Sequence, residues 1–367
     1  MSAEAALFES SPQLGVATLD QGGDTRVAAA QDELPGAYSR LRDQVSRAGL
    51  LDYRPYRYGL KIGVTIAAFA AGWATFVVVG NTWLSAGVAV LLAVLFTQVV
   101  FLGHDAGHQE IVRSARVNRL IGLTVGNALT GLSIGWWVPK HNAHHAHPNE
   151  VGRDPDIGAG LIAFGVTASS ETGPARIRMR DRLQVPLFAF VLLLQGLGLH
   201  VTSVQSVLRR RGRLAAIELL LLVGNAIAYL TIVFWVLPPA KACAFIAIQQ
   251  CLFGLYLGFT FAPNHKGMPI IAKAANLPFA YRQVVTARNI AGGRLVTMVY
   301  GGLNYQIEHH LFPAMPRLNL VHAQPFVREF CAQHDLPYRQ VGLISSYRQA
   351  LRSLQTGDRL ESQPLPG

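Results

Sequence analysis

The sharpest pattern along the chain is an alternation of charge-free apolar runs with polar, histidine-rich stretches. From Ile62 to Gly103, 42 residues pass without a Lys, Arg, Asp or Glu, and the tetrad Asn81-Thr82-Trp83-Leu84 divides them into two stretches of 19. A helix rises about 1.5 Å per residue, so about 20 residues cross a hydrocarbon core of about 30 Å. This predicts a transmembrane hairpin with a minimal outer loop. The pattern repeats later: Leu214–Leu237 is one predicted span, Pro238-Pro239-Ala240-Lys241 a turn and Ala242–Pro263 a second span, with Glu218 the only acid inside them.

Between the hairpins, Val185–Leu199 is apolar but only 15 residues long and flanked by Arg182 and Arg209–Arg213. That length predicts an interfacial or buried helix rather than a span. Asn118–Gly135 is expected to lie on the surface as a weakly amphipathic helix. The chain up to about Gly36 reads as a poorly ordered tail without the apolar core of a signal peptide, and Gly36–Arg54 as a short amphipathic helix leading to the membrane. The predicted fold is all-α and integral to the membrane: four transmembrane helices as two hairpins with a cytoplasmic helical cap. An N-terminal tail covers 1–57, the membrane unit 58–339 and a C-terminal tail 340–367.

Composition and charge sharpen this picture. At 51% hydrophobic and 14% charged, the chain carries far less charge than the roughly 25% of a soluble domain, and it is too apolar for intrinsic disorder. Cys243, Cys251 and Cys331 show no paired spacing, which excludes a disulfide scaffold. Of 32 Lys and Arg residues only Lys241 falls in a predicted outer turn, so the positive-inside rule places both termini and the central region on the cytoplasmic side of a cell membrane. The net charge of +11 is then accounted for by topology and by anionic lipid, with no nucleic-acid partner required.

Twelve histidines carry the candidate chemistry. His104 and His108 stand at i and i+4, and His141, His144 and His145 at i, i+3 and i+4, each set on one helical face. His309 and His310 are adjacent, with Gln306 one turn earlier, and His265 lies just past the fourth predicted span. With two spans between the second and third clusters, all fall on one side of the membrane. His147, His200, His322 and His334 lie off these faces or alone and are expected to be packing residues. Imidazole is a common ligand of iron, zinc and copper. Eight converging imidazoles exceed the demand of one ion and suggest two, and the clusters hold no thiolate for an iron–sulfur cluster. Spacing leaves iron, copper and zinc all open.

At these residues the sequence resembles the membrane fatty acid desaturase family, the histidine-box di-iron enzymes. The pattern is HxxxH, HxxHH and then QxxHH, each box placed relative to a transmembrane hairpin, and the likeness extends over roughly Tyr58 to Arg339. The stretch NYQIEHHLFPAMPR, Asn304 to Arg317, is similar to front-end and actinobacterial acyl desaturases, whose third box also begins with Gln. The resemblance implies two Fe ions held by His104, His108, His141, His144, His145, His309 and His310, with His265 as the extra ligand. Asn264 and Gln306 become possible outer ligands. The Gln306 amide would bind iron weakly, orient a water or leave an open position. Asp105, Asp154, Asp156 and Glu308 are candidates for carboxylates that orient the imidazoles. Trp137, Lys140 and Arg153 are candidates for the rim that holds the substrate head.

The implied activity is an O2-dependent dehydrogenation that places a cis double bond in a long-chain acyl group carried on CoA or lipid. With no His-Pro-Gly-Gly haem motif in the sequence, electrons are expected from a separate ferredoxin or NAD(P)H reductase. Two alternatives accompany this reading. A di-iron hydroxylase or ketolase acting on a lipid or carotenoid would share the boxes. A histidine-rich membrane metal transporter would instead place its ligands at mid-membrane, whereas here the spans are almost featureless.

Overall fold

The computed structural model describes residues 25–157, 174–273, 275 and 277–356. Helix α1 runs Thr25–Arg47, followed by the first apolar pair, α2 (Pro55–Val79) and α3 (Leu84–Gly107). Next come α4 (Ala115–Gly122), a π-helical segment (Leu123–Leu129) and α5 (Ile134–Ala146). Helices α6 (Pro174–Arg209), α7 (Arg213–Val236) and α8 (Pro239–His265) complete the apolar bundle. The remainder is α9 (Phe279–Val285), β1 (Asn289–Ala291), α10 (Arg294–Val299), α11 (Gln306–Leu311), a 3-10 turn (Arg317–Asn319), α12 (Leu320–Gln333), β2 (Gln340–Gly342) and α13 (Leu343–Thr356). The two short strands pair in parallel.

Both predicted hairpins form, with α2 ending at Gly80, whose φ of 61° suits glycine. Their shared core is a stack of Phe76, Leu92, Phe96, Val233, Phe245 and Phe253, all buried. A second core joins the chain ends: Leu34, Leu41 and Val45 of α1 pack with Val284, Ile307, Leu320, Val327 and Phe330. The hydroxyl of Tyr38 donates to the carbonyl of Leu311 at 2.6 Å. This core clamps the six-residue α11, which carries the third histidine cluster.

Three expectations are corrected. The 15-residue run Val185–Leu199 is part of a longer helix: α6 continues to Arg209, so that beside the four predicted spans Val185–Arg209 is a fifth helix long and apolar enough to cross a membrane. The apolar run ends at Leu199, but the helix does not, because the residues that follow up to Leu208 are uncharged and helix-compatible. Its packing is set by glycines. A Cβ on Gly254 would lie 2.5 Å from the Gly196 nitrogen, and one on Gly258 would lie 2.3 Å from Leu192 Cδ2. Gly254 and Gly258 form a GxxxG pair, the small-residue spacing that lets helix backbones approach in membranes. The approaches Leu192–Gly258 and Gly196–Gly254 run α6 antiparallel to α8.

The second correction concerns Asn118–Gly135, which is not one surface helix. It splits into α4, the π segment and a break at Gly131 with φ 68°, and Asn118, Gly122, Val125 and Asn127 are buried. The third concerns the N-terminal tail. From Thr25 the chain is already helical, carried across Pro35 by the buried stripe Leu34, Ala37, Leu41 and Val45, and residues 1–24 lie outside the described residues. At the other end, the segment expected as a tail forms β2 and α13 up to Thr356, with Leu351 and Leu354 packed on Phe188 and Leu192.

Candidate metal centre

Four helix ends converge beneath the apolar bundle. The last turn of α3 supplies His104 and, at its C-cap, His108; α5 supplies His141, His144 and His145; α8 ends on His265; α11 supplies His309 and His310. Helix α5 is started by Ser133, whose hydroxyl accepts from the Trp136 amide at 3.1 Å. Helix α11 is started by Asn289, whose side-chain oxygen accepts from the Ile307 amide at 2.9 Å.

The imidazoles sort into two groups. Ring nitrogens of His104, His108, His141 and His309 lie within 4.8 Å of one another, and so do those of His144, His265 and His310. His145 sits between them: its Nε2 is 3.1 Å from His141 Nε2, and its ring stacks on His310 with centroids 4.2 Å apart. All eight side chains are buried.

Hydrogen bonding fixes the tautomers of the second group. His144 Nδ1 is 3.0 Å from both oxygens of Asp154, His265 Nδ1 is 3.0 Å from the Thr286 carbonyl, and His310 Nδ1 is 2.9 Å from Gln283 Oε1. Each of these oxygens only accepts, so each Nδ1 carries the proton and each Nε2 turns a lone pair inward. His144 Nε2 and His265 Nε2 then face each other at 3.4 Å, an arrangement that calls for a cation between them. In the first group, both ring nitrogens of His104 and His309 and Nε2 of His108 are buried without a hydrogen-bond partner, as is Nε2 of His310. Burial first, and then the charge of neighbouring imidazoles, pushes His108, His141, His145, His309 and His310 well below the usual imidazole range. Neutral, unpartnered imidazoles are what a metal ion requires.

The expected helpers divide. Asp154 holds His144 and also accepts from the amides of Asn149 (2.7 Å) and Asp156 (2.8 Å). Asp156 itself pairs with Lys140 and stays 3.7 Å from His144 Nδ1. Asp105 lies 3.8 Å from His104 Nδ1, beyond hydrogen-bond range, and instead pairs with Arg317. Glu308 faces away from the imidazoles and bonds to Asn289 and Tyr338. Gln306 turns its Nε2 to His265 Nε2 at 3.0 Å and accepts from Asn264 Nδ2 at 3.0 Å, while Asn264 Oδ1 is buried without a partner. Trp137 stacks on His141 with centroids 4.3 Å apart. Arg153 pairs with Glu150 at 3.2 Å. His147 bonds to Glu150 and Arg282, outside both groups.

Two residues that sequence reading missed are central. Gln283, fully buried on α9, holds His310 through its oxygen and donates to the His145 carbonyl at 3.0 Å. Arg317 ties the third-box segment to α3. Neither has a spacing signal, since each acts on residues far away in sequence.

Comparison with known proteins identifies the family. The fatty acid desaturase family model matches residues 81–342. An acyl-lipid (9-3)-desaturase of Physcomitrium patens is 30% identical over 91% of this chain, and this chain spans 65% of that protein's length. A delta(5) fatty acid desaturase of Caenorhabditis elegans is 32% identical over 82% of this chain and 69% of its own. A delta(8)-fatty-acid desaturase of Arabidopsis thaliana is 30% identical over 87% of this chain and 74% of its own.

Proposed function

The chain belongs to the fatty acid desaturase family, and we propose that it is an O2-dependent acyl desaturase whose two histidine groups each hold one iron ion. The overall change removes one hydrogen from each of two adjacent methylenes; with O2, two electrons and two protons it yields a cis double bond and two waters. The observation that carries this is the pair of imidazole groups with their inward lone pairs, His104, His108, His141 and His309 in one and His144, His265 and His310 in the other, with His145 between them.

When bound, the iron pair supplies the oxidising power that an unactivated C–H bond demands. The protein's own work is orientation and exclusion of water. Asp154, the Thr286 carbonyl and Gln283 hold His144, His265 and His310 in one tautomer. Trp137 on His141 and Phe261 near His104 wall the first group with apolar surface. Gln306 and Asn264 stand beside His265 as amides able to place a water or offer an oxygen at the second group.

The same reading puts the metal groups and both chain termini on the cytoplasmic side of a cell membrane, supported by the basic excess outside the outer turns. Helix α6 then does not cross, its Leu192 lying against Gly258 near the His265 end of α8 and its Arg210 against Ser133 at the start of α5. The net charge of +11 supports docking of an acidic ferredoxin or a reductase as electron donor. The Gln-type third box likens the chain to the front-end and actinobacterial acyl desaturases.

The test is a fatty-acid methyl-ester profile by gas chromatography–mass spectrometry of host membranes expressing the wild type with ferredoxin and reductase, against His310→Ala. A new unsaturated chain in the wild type alone is expected. A hydroxylated product, or the same unsaturated chain from both proteins, would overturn the assignment.

A further inference from the structure

An acyl group reaches a desaturase on a carrier, and on the reading just given that carrier needs a seat near the metal groups. Two of the rim candidates are already occupied, Lys140 by Asp156 and Arg153 by Glu150. A different cleft, of about 230 Å³, opens where α5 and the end of α6 meet, lined by Trp136, Thr202, Gln205, Ser206, Arg209 and Arg210.

Its wall has one chemical character. Thr202, Gln205, Ser206 and Arg209 follow the three- and four-residue spacing of a single helix face. All the polar side chains in the wall bear donors, and none is a carboxylate. Arg210 is committed: it donates to Glu218 Oε1 at 3.0 Å and to Ser133 Oγ at 3.1 Å, neutralising that acid. Arg209 is exposed and makes no hydrogen bond or ion pair with the described residues, and exposed Arg211 and Arg213 follow it. The cleft therefore carries net positive charge.

Its position is also specific. Ser133, which Arg210 grips, caps α5 eight residues before His141, which is about 12 Å along the helix axis. Trp136 lines the cleft while its neighbour Trp137 stacks on His141. We propose that this cleft binds the phosphate group of the acyl carrier, with Arg209 as the principal ligand and Ser206 and Gln205 as further donors. A guanidinium fork matches phosphate oxygens in geometry and charge. A phospholipid headgroup and the phosphates of CoA share this chemistry.

The test uses the purified full chain in detergent micelles and measures binding of three probes: dioleoyl phosphatidic acid, stearoyl-CoA and stearic acid. Arg209→Gln and Ser206→Glu are compared with the wild type and with Arg116→Gln, which removes an exposed charge elsewhere. Both cleft variants should weaken at least one phosphate probe about tenfold, as loss of a charge-assisted hydrogen bond does, while stearic acid and the control variant are unaffected. The probe that responds identifies the source of the phosphate. Equal binding by all proteins, equal loss for stearic acid, or no binding of either phosphate probe to the wild type would overturn the proposal. Because binding needs no turnover, a wild type that makes product yet shows no probe shift sinks the cleft alone. A probe shift without any product sinks the desaturase reading alone.

Discussion

Arg317 and Asp105, 212 positions apart, meet in an ion pair of 2.7 Å with both side chains almost wholly buried. The Arg317 amide also donates to Glu110 Oε2 at 2.8 Å, and that carboxyl bonds to the Tyr58 hydroxyl. The segment just after the third histidine pair is thereby fastened to the end of the helix that carries the first. Removing one side of a buried pair costs up to about 3–5 kcal/mol, and loss of Arg317 would leave Asp105 with Lys61 at 3.8 Å as a weaker partner. Arg317→Ala should therefore lower the thermal midpoint sharply and reduce bound iron, whereas Asp105→Asn with Arg317→Gln should recover much of the loss. Equal midpoints for the single and double variants would contradict this pairing.

Asp154 and Gln283 act through the Nδ1 protons of His144 and His310. Asp154→Ala and Gln283→Leu should each weaken metal retention by about 10–100-fold, the usual effect of losing an orienting partner. Asp154→Asn keeps an acceptor and should lose less. Iron per chain, measured by plasma mass spectrometry after dialysis against a chelator, reads this directly.

Acid should act on the metal-free fold in a fixed direction. His108, His141, His145, His309 and His310 are held by burial below the ordinary value of about 6.5 that they regain on unfolding. Between those two values the unfolded chain binds more protons than the folded one, so stability is full above about pH 6.5 and falls as pH drops below it. The thermal midpoint of the metal-free protein should fall between pH 7.5 and pH 5.5. A flat profile would mean that these imidazoles are not buried and neutral.

The crossing of α6 and α8 is one that glycine alone permits. At Gly254 an added Cβ would meet backbone, 2.7 Å from the Leu192 carbonyl oxygen, so Gly254→Val must part the helices. Overpacking costs about 1–3 kcal/mol even where side chains alone must shift. At Gly224 of α7 an added Cβ meets nothing within 4 Å. Gly224→Ala should leave the midpoint unchanged while Gly254→Val lowers it by several degrees or prevents folding.

What could be read beforehand was whatever has local periodicity. Charge-free runs delimited α3, α7 and α8 to within four residues at each end, but missed the first two turns of α2, which begins at Pro55 ahead of Arg57 and Lys61. The spacing of His141, His144 and His145 announced one helical face. The full length of α6 was hidden because Thr202, Ser203 and Ser206 look like the end of an apolar segment, although neutral polar residues do not stop a helix. The GxxxG at Gly254 was the available sign of its close partner. Asp105 and Glu308 looked like helpers of their neighbouring histidines, yet their partners, Arg317 and Tyr338, are delivered by the tertiary fold. Gln283 could not be found for the same reason.

His309 and His310 are consecutive residues on the six-residue α11, yet they serve different imidazole groups. On the two-iron reading, one peptide unit thus sets the distance between the two metal positions, much as a rivet fixes two plates whatever the plates do. Ordering α11 around the first ion also orders it for the second, so the second ion meets a smaller entropy cost. Loading should be cooperative: chains in a half-metallated preparation would carry two ions or none, with few carrying one.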